Sequence, residues 1–367
     1  MDSHENCCME AQNIKTITVS SIWGSFFIKN GDWWRRIMIS IRQAVYEDIP
    51  LIMKFIDEHW KKGHILARDR EFFEWQFVDD DQVNVFLAVD DTASKIYGMQ
   101  GVIKYSKRPN PDISGSIWKT IKNPNPVLGM ELEKYMFDQI QVRYSCSAGL
   151  SNKANRIYKI LGMTPAVMDH YYRLADITDY RIAKIKNKII PKIENNGYNL
   201  EPILTVEEMK EIISEEVLAK CIMSKDYAYI QKRYFDHPVY QYDIWKIVNQ
   251  EGKSNSILIT REERVEDRKV GKIIDFYGDL HDLGKITCSL DHLIKEKQYE
   301  YLDVYSFGVP VQLYEQAGFI RCDMDSENII PNYFHPFEQR NVTLRLMDPR
   351  IEGFRLFLGD GDQDRPC

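Results

Sequence analysis

Apolar positions first fall into a regular pattern at Ile39. There Ile39 and Ile41 alternate with Ser40 and Arg42, the period of a half-buried strand, and after Glu47-Asp48 the residues Ile49, Ile52, Phe55, Ile56 and Trp60 recur at helical spacing. Residues 68–77, with Phe72, Phe73 and Trp75, predict a second helix, and residues 83–89 and 95–105 predict two strands around an Asp-Asp turn. Pro109, Pro111, Pro124 and Pro126 punctuate the next stretch. They leave 116–121 as a short strand and 128–140 as a helix, followed by a strand at 142–148, a helix at 154–161 and a closing strand at 167–174.

The plan then repeats. Residues 206–219 and 225–235 predict helices, and 242–249, 256–260 and 271–277 predict strands. A helix at 283–297, a strand at 301–305 and a helix at 309–316 follow, with closing strands at 319–322 and 342–346 and a last candidate at 354–358. Two copies of one order in one chain form an internal repeat. The expected organisation is an extension over 1–37, poorly ordered and without chemistry, because well-patterned sequence begins only after a later methionine, Met38. A first α/β domain spans 38–180, a basic linker around Pro191 spans 181–200, a second α/β domain spans 201–358, and a polar tail spans 359–367.

Composition narrows the classes. With 367 residues, 44% of them hydrophobic, the chain can bury two cores of ordinary size. Its 48 basic side chains are outnumbered by 55 acidic ones, so no nucleic-acid partner is expected. Cys7, Cys8, Cys146, Cys221, Cys288, Cys322 and Cys367 form no C-x-x-C pair and no His cluster accompanies them. That pattern implies reduced thiols in the cytoplasm and no metal. The apolar run at 21–28 is far short of the roughly 20 residues a membrane helix needs, so no membrane span is expected.

One local pattern occurs in both halves. In the first, Ala154, Tyr158, Gly162 and Met163 end a predicted helix that follows a strand; in the second, Tyr314, Gly318 and Phe319 do the same. The glycine supplies the left-handed conformation that stops a helix, and the next residue turns into the core. This pattern resembles motif B of the GNAT acyltransferase superfamily, a strand followed by A-x-x-x-Y-x-x-x-G-F. The resemblance implies two tandem GNAT-like domains, each a mixed, mostly antiparallel central sheet flanked by helices. It implies acetyl-CoA or another acyl-CoA as co-substrate, with Tyr158 as the acid that protonates the departing thiolate.

The same resemblance puts the pyrophosphate loop at 125–130, against Val127, Leu128, Gly129 and Met130, with Ser151 and Asn155 nearby. The corresponding loop of the second half carries Asp279 and Asp282, which suit a helix start and would repel a pyrophosphate. The first half is therefore the expected acyl-CoA domain and the second an acceptor-shaping one. His59 and Asp69 are the candidate bases on the acceptor side, and His64 and Trp75 candidate acceptor contacts; His64 and Asp69 also fit ordinary loop and cap positions. Arg233, Tyr234, His237 and Tyr240 form a polar, aromatic loop that either holds a sugar in a cleft or closes a helix end.

Residues 55–75 and 359–366 resemble uncharacterised tandem-GNAT proteins of bacterial surface-polysaccharide clusters. That likeness points to a small-molecule amino sugar, free or nucleotide-linked, as acceptor. Two alternatives stay open: a Fem-type transferase using aminoacyl-tRNA, and a non-catalytic protein that binds a sugar or a pathway partner. The acidic spacing of the tail invites Ca²⁺ but lacks the distant Glu and flanking helices of an EF-hand, so a flexible tail is expected. The oligomeric state is not legible.

Overall fold

The computed structural model describes residues 38–367 apart from 91, 194, 348–350 and 367. The extension expected over 1–37 lies outside the described residues, and Ile39–Cys367 form one unit. Two sheets organise it. The first runs β1 (Ile39–Gln43), β2 (Val85–Asp90), β3 (Ile96–Lys104) and β4 (Ile113–Thr120), each antiparallel to the next.

Between β1 and β2 lie α1 (Ile49–His59), α2 (Ile65–Arg68) and α3 (Arg70–Phe77). Pro50 fits the first turn of α1, where no N–H is needed, and the side chains of His64 and Asp69 cap α2 and α3. The apolar faces of α1 and α3 bury Ile52, Phe55, Phe72, Phe73 and Phe77 against Val85, Leu87, Met99 and Ile117. Each such side chain stabilises the fold by about 1.5–3 kcal/mol. The other face is covered by α4 (Leu128–Ile140), whose Leu132 and Met136 pack on Phe86, Val102 and Ile113; α5 (Asn152–Ile160) follows.

The second sheet contains β5 (Asp169–Leu174), β6 (Asn199–Ile203), β7 (Tyr242–Val248), β8 (Ser254–Val265), β9 (Arg268–Gly278), β10 (Tyr299–Phe307) and β11 (Ile320–Arg321). Their spatial order is β11-β5-β10-β9-β8-β7-β6, and β12 (Leu356–Phe357) also pairs with β10. The β9–β10 pair is parallel and the other neighbours are antiparallel. Along β8, Ile257 and Ile259 face α6 (Val206–Ile212), α7 (Glu215–Lys220) and α8 (Tyr227–Ile230), whereas Leu258 faces α9 (Thr287–Lys297) and α10 (Val311–Gln316). That alternation is the strand period expressed as two covered faces.

Several expectations need correction. The strand at 167–174 does not close the first sheet: β5 lies in the second sheet between β10 and β11, where both of its faces are buried. The expected helix at 206–219 breaks into α6 and α7 because Ser214 caps a new start. The helix at 225–235 passes from α8 into a π-helical turn at Gln231–Phe235. The basic linker expected at 181–200 is built into the fold: Ile182 and Ala183 are buried, Lys184 bridges to Ile329 and Asn199 begins β6.

Candidate functional site

Each half contains two parallel segments that run together and then part. In the second half, β9 and β10 stay paired up to Ile273 and Val304. Beyond that point the chain's own C-terminal segment fills the gap: β12 pairs with Ser306 and Phe307 of β10, and the Gly359 N–H donates to Ile274 O of β9 at 2.8 Å. The fit is tight. A Cβ on Gly359 would lie 2.6 Å from the Tyr234 hydroxyl and 3.0 Å from Ile274 atoms.

In the first half, the segment 142–148, expected as a strand, lies parallel to the start of β4. Ile113 N–H donates to Tyr144 O at 2.9 Å, and Cys146 N–H donates to Ile113 O at 3.1 Å. The Gly115 N–H then donates to Ser147 Oγ at 3.0 Å, after which the two separate. The leaving segment turns to Arg345, whose carbonyl accepts from Gly149 and Leu150, so regular strand pairing is lost where the sequence pattern predicted it.

Tyr158 sits beside this parting pair. It is buried, its ring lies 5.6 Å from that of Trp118 on β4, and its phenol donates to Glu133 Oε1 at 2.6 Å. Burial and the Glu133 carboxyl push the phenol well above its ordinary pKa. Burial pushes Glu133 up to about 7, against the opposing effect of the Tyr158 hydrogen bond. Gly162 stops α5 with φ of 80°, as the motif requires.

The expected pyrophosphate loop is held largely by itself. Asn125 Oδ1 accepts from Val127 N–H, Asn125 O from Leu128 N–H, and Val127 O from the N–H groups of Met130 and Glu131. Asn125 Nδ2 also donates to Glu131 Oε2 at 2.6 Å, and the Trp118 indole donates to Gly129 O at 3.1 Å. Leu128 is buried. Ser151 caps α5 by accepting from Ala154 N–H, and Asn155 N–H closes the first turn on Ser151 O. In the second half, Asp279 accepts from His281 N–H and Asp282 from the Ser256 hydroxyl, so those acids occupy their own helix start.

A cleft of about 720 Å³, counted with its open mouth, lies where α3, the end of β3 and the π-turn meet the C-terminal residues. Trp75, Gln76, Lys104, Lys232, Arg233, Asp362 and Arg365 line it. Of the sequence-predicted acceptor contacts, Trp75 and His237 touch across the two halves at 4.4 Å between ring centroids, and Tyr240 stacks on His237 at 5.2 Å. Arg233 and Tyr234 are buried, with Arg233 bound to Asp364 and Tyr234 donating to Asp275. Burial pushes both His64 and His237 down to about 3, helped at His64 by Arg365 and at His237 by Arg233. Their Nδ1 atoms accept backbone N–H groups, from Leu66 and from Val239 and Tyr240 respectively. His59 packs on Phe55 at the surface and Asp69 caps α3; neither lines the cleft.

The tail expected to be flexible is the largest correction. Asp364 is buried and accepts from Arg261 Nη2 at 2.7 Å, Arg233 Nη2 at 3.1 Å and the Tyr242 hydroxyl at 2.7 Å. Those two guanidinium groups hold its carboxyl below the usual range despite its burial. Asp360 pairs with Lys225, which also pairs with Asp275. Asp362 accepts from Ser116 Oγ at 2.6 Å and Gln76 Nε2 at 3.1 Å and pairs with Arg365. These carboxylates are buried because each meets a cation or donor from another part of the chain. Among the described residues, no cluster of three or more His, Cys, Asp or Glu could hold a metal, and no helix is long and apolar enough to cross a membrane.

No family model matches the chain, and no curated protein matches it. Solved structures do. A GCN5-related N-acetyltransferase from Anabaena variabilis superposes with a TM-score of 0.54 at 12% identity, covering 84% of this chain and 72% of its own. A conserved Enterococcus faecalis protein of unknown function gives 0.51 at 10% identity, with 84% and 72% covered. A GCN5-related glucosamine N-acetyltransferase region of a fungal multi-domain β-N-acetylglucosaminidase gives 0.51 at 12% identity, covering 86% of this chain and 39% of that one. The fold is thus that of the GCN5-related N-acetyltransferases, α/β with mostly antiparallel sheets flanked by helices.

Proposed function

We propose that the protein is an acyl-CoA-dependent N-acyltransferase whose transfer site lies in the first half. The observation that carries this reading is the contrast between the two parting pairs: residues 356–359 fill the second by backbone pairing, whereas at the first, beside Tyr158, the tail contributes side chains, with Asp362 on Ser116 and Gln363 on Ala148. The acceptor amine attacks the thioester carbonyl, the C–S bond breaks, and Tyr158 protonates the leaving thiolate while the amine proton passes to a base or water. The acceptor is an amino sugar, free or nucleotide-linked, of a surface glycan. Trp75, on the cleft wall and backed by His237 and Tyr240, would pack on its ring, and Lys104, with Lys232 beside it already paired to Asp79, offers charge for a phosphate.

One observation favours a different donor or none: the helix start expected to grip pyrophosphate already has internal acceptors for four N–H groups, those of Val127, Leu128, Met130 and Glu131. An aminoacyl-tRNA-dependent transferase, or a sugar- or partner-binding protein without catalysis, fits that feature. Titration calorimetry with acetyl-CoA decides between them. Saturable binding followed by turnover on a panel of amino sugars supports the acyl-CoA reading, and absence of binding to acetyl-CoA and longer acyl-CoA esters rejects it.

A further inference from the structure

Tyr158 has a partner that the motif does not call for. Its one phenolic proton lies in a 2.6 Å hydrogen bond to Glu133 Oε1, and both side chains are buried. An ionised carboxylate only accepts, so with Glu133 charged that proton is committed to the carboxylate. A neutral Glu133 can instead donate to the phenolic oxygen, which turns the phenolic hydrogen free for another acceptor. The matching tyrosine of the second half has no carboxyl partner: Tyr314 is bonded to the Ser306 hydroxyl at 2.7 Å, a group that does not change its proton count with pH in the ordinary range.

We infer that Glu133 is a positioning and proton-supplying residue for Tyr158, and that the protonated pair is the form competent for transfer. The inference rests on the acyl-transfer reading above. As the C–S bond breaks, the sulfur takes the phenolic proton of Tyr158 and the phenolic oxygen takes the carboxyl proton of Glu133. No buried phenolate is left; Glu133 ends as the carboxylate and regains its proton from solvent before the next turnover. The electrostatics agree. Burial dominates at Glu133, and Tyr158 on α5 is the titratable group acting on it; Cys146, from the segment beside β4, acts on the phenol. The Trp118 ring on β4 lies beside the phenol and carries no charge. Burial places the carboxyl at about 7, where it is part-protonated under ordinary conditions.

The test is a pH profile of kcat for wild type and Glu133→Gln, paired with an infrared pH titration that needs no turnover. Wild-type kcat should fall about tenfold per pH unit above the Glu133 midpoint. Glu133→Gln can hold the phenol but has no proton to pass on, so it should be at least about tenfold slower at pH 6 and lose that alkaline limb. In the infrared difference between wild type and Glu133→Gln, a protonated-carboxyl band should be present at pH 6 and vanish toward pH 8. That difference cancels Asp360, a carboxyl that burial also pushes up to about 6. Tyr158→Phe removes a hydrogen bond that favours the charged form, so it should move the band's disappearance to higher pH. A variant with wild-type rate and wild-type profile overturns the inference, as does a Glu133 carboxyl already ionised at pH 6. If acyl-CoA neither binds nor turns over, the transfer reading fails and the inference with it, even where the infrared titration behaves as expected.

Discussion

Tyr158 and Tyr314 stand at matching places, each four residues before a glycine held at positive φ, 80° at Gly162 and 82° at Gly318. One phenol meets a carboxylate beside a pair of segments that part; the other meets a serine hydroxyl and stacks on Tyr171 at 4.4 Å, behind a gap closed by β12. A repeat can therefore keep its helix-ending device in both copies while the surroundings of its tyrosine diverge. The glycine stop and the buried aromatic serve the fold by themselves, so their survival says little about activity. What distinguishes the halves is how the C-terminal residues meet them: residues 356–359 pair as backbone with β10 and β9 in the second, whereas Asp362 and Gln363 reach Ser116 and Ala148 of the first by side chain.

The comparison breaks most severely if the tail is not anchored as described. Asp364→Ala would leave Arg233 and Arg261 buried beside an uncompensated gap, with a loss of about 3–5 kcal/mol in urea unfolding. A loss below about 1 kcal/mol would mean that the tail is not held in place by this carboxylate. The next effect is kinetic. Tyr158→Phe should lower kcat about a hundredfold with little change in acetyl-CoA affinity, measured by steady-state assay and calorimetry. If Tyr314→Phe lowers kcat equally, the assignment of transfer to the first half is wrong. A third probe addresses the closed gap. Gly359→Ala would press a methyl onto Tyr234 and Ile274, at a cost of about 1–3 kcal/mol in the same unfolding experiment.

Much of this was legible before any coordinates. Most of the strand and helix order, the two glycine stops and the aromatic core of α3 follow from local periodicity and lie where the pattern puts them, the strand expected at 142–148 and the unbroken helix expected at 206–219 excepted. What stayed hidden is long-range. The aromatic run of β5 marks a strand but does not say which neighbours it joins, so its place between β10 and β11 had no local signature. The partners of Asp364 are Arg233 and Arg261, more than a hundred residues earlier, and an acidic tail looks the same whether solvated or paired. Glu133 did leave a trace, since it flanks the Leu128, Leu132 and Met136 stripe of α4 and a carboxyl at a helix's buried edge demands a partner.

The smallest expected effect sharpens the contrast most finely. Tyr314→Phe deletes one buried hydrogen bond to Ser306 Oγ while keeping the ring stacked on Tyr171, so stability should fall by about 1 kcal/mol and kcat should stay within about twofold. Tyr158→Phe removes a bond of the same length class, but its partner Glu133 is then left without the phenol that favours its charged form. Comparing the two variants' unfolding free energies at pH 6 and pH 8 separates the halves without any assay of activity. The Tyr314→Phe deficit should be the same at both pH values, because a hydroxyl partner does not titrate there. The Tyr158→Phe deficit should be larger at pH 8, where the ionised Glu133 has lost its donor, and equal deficits at both pH values would show that Glu133 is not the carboxyl that titrates in this range.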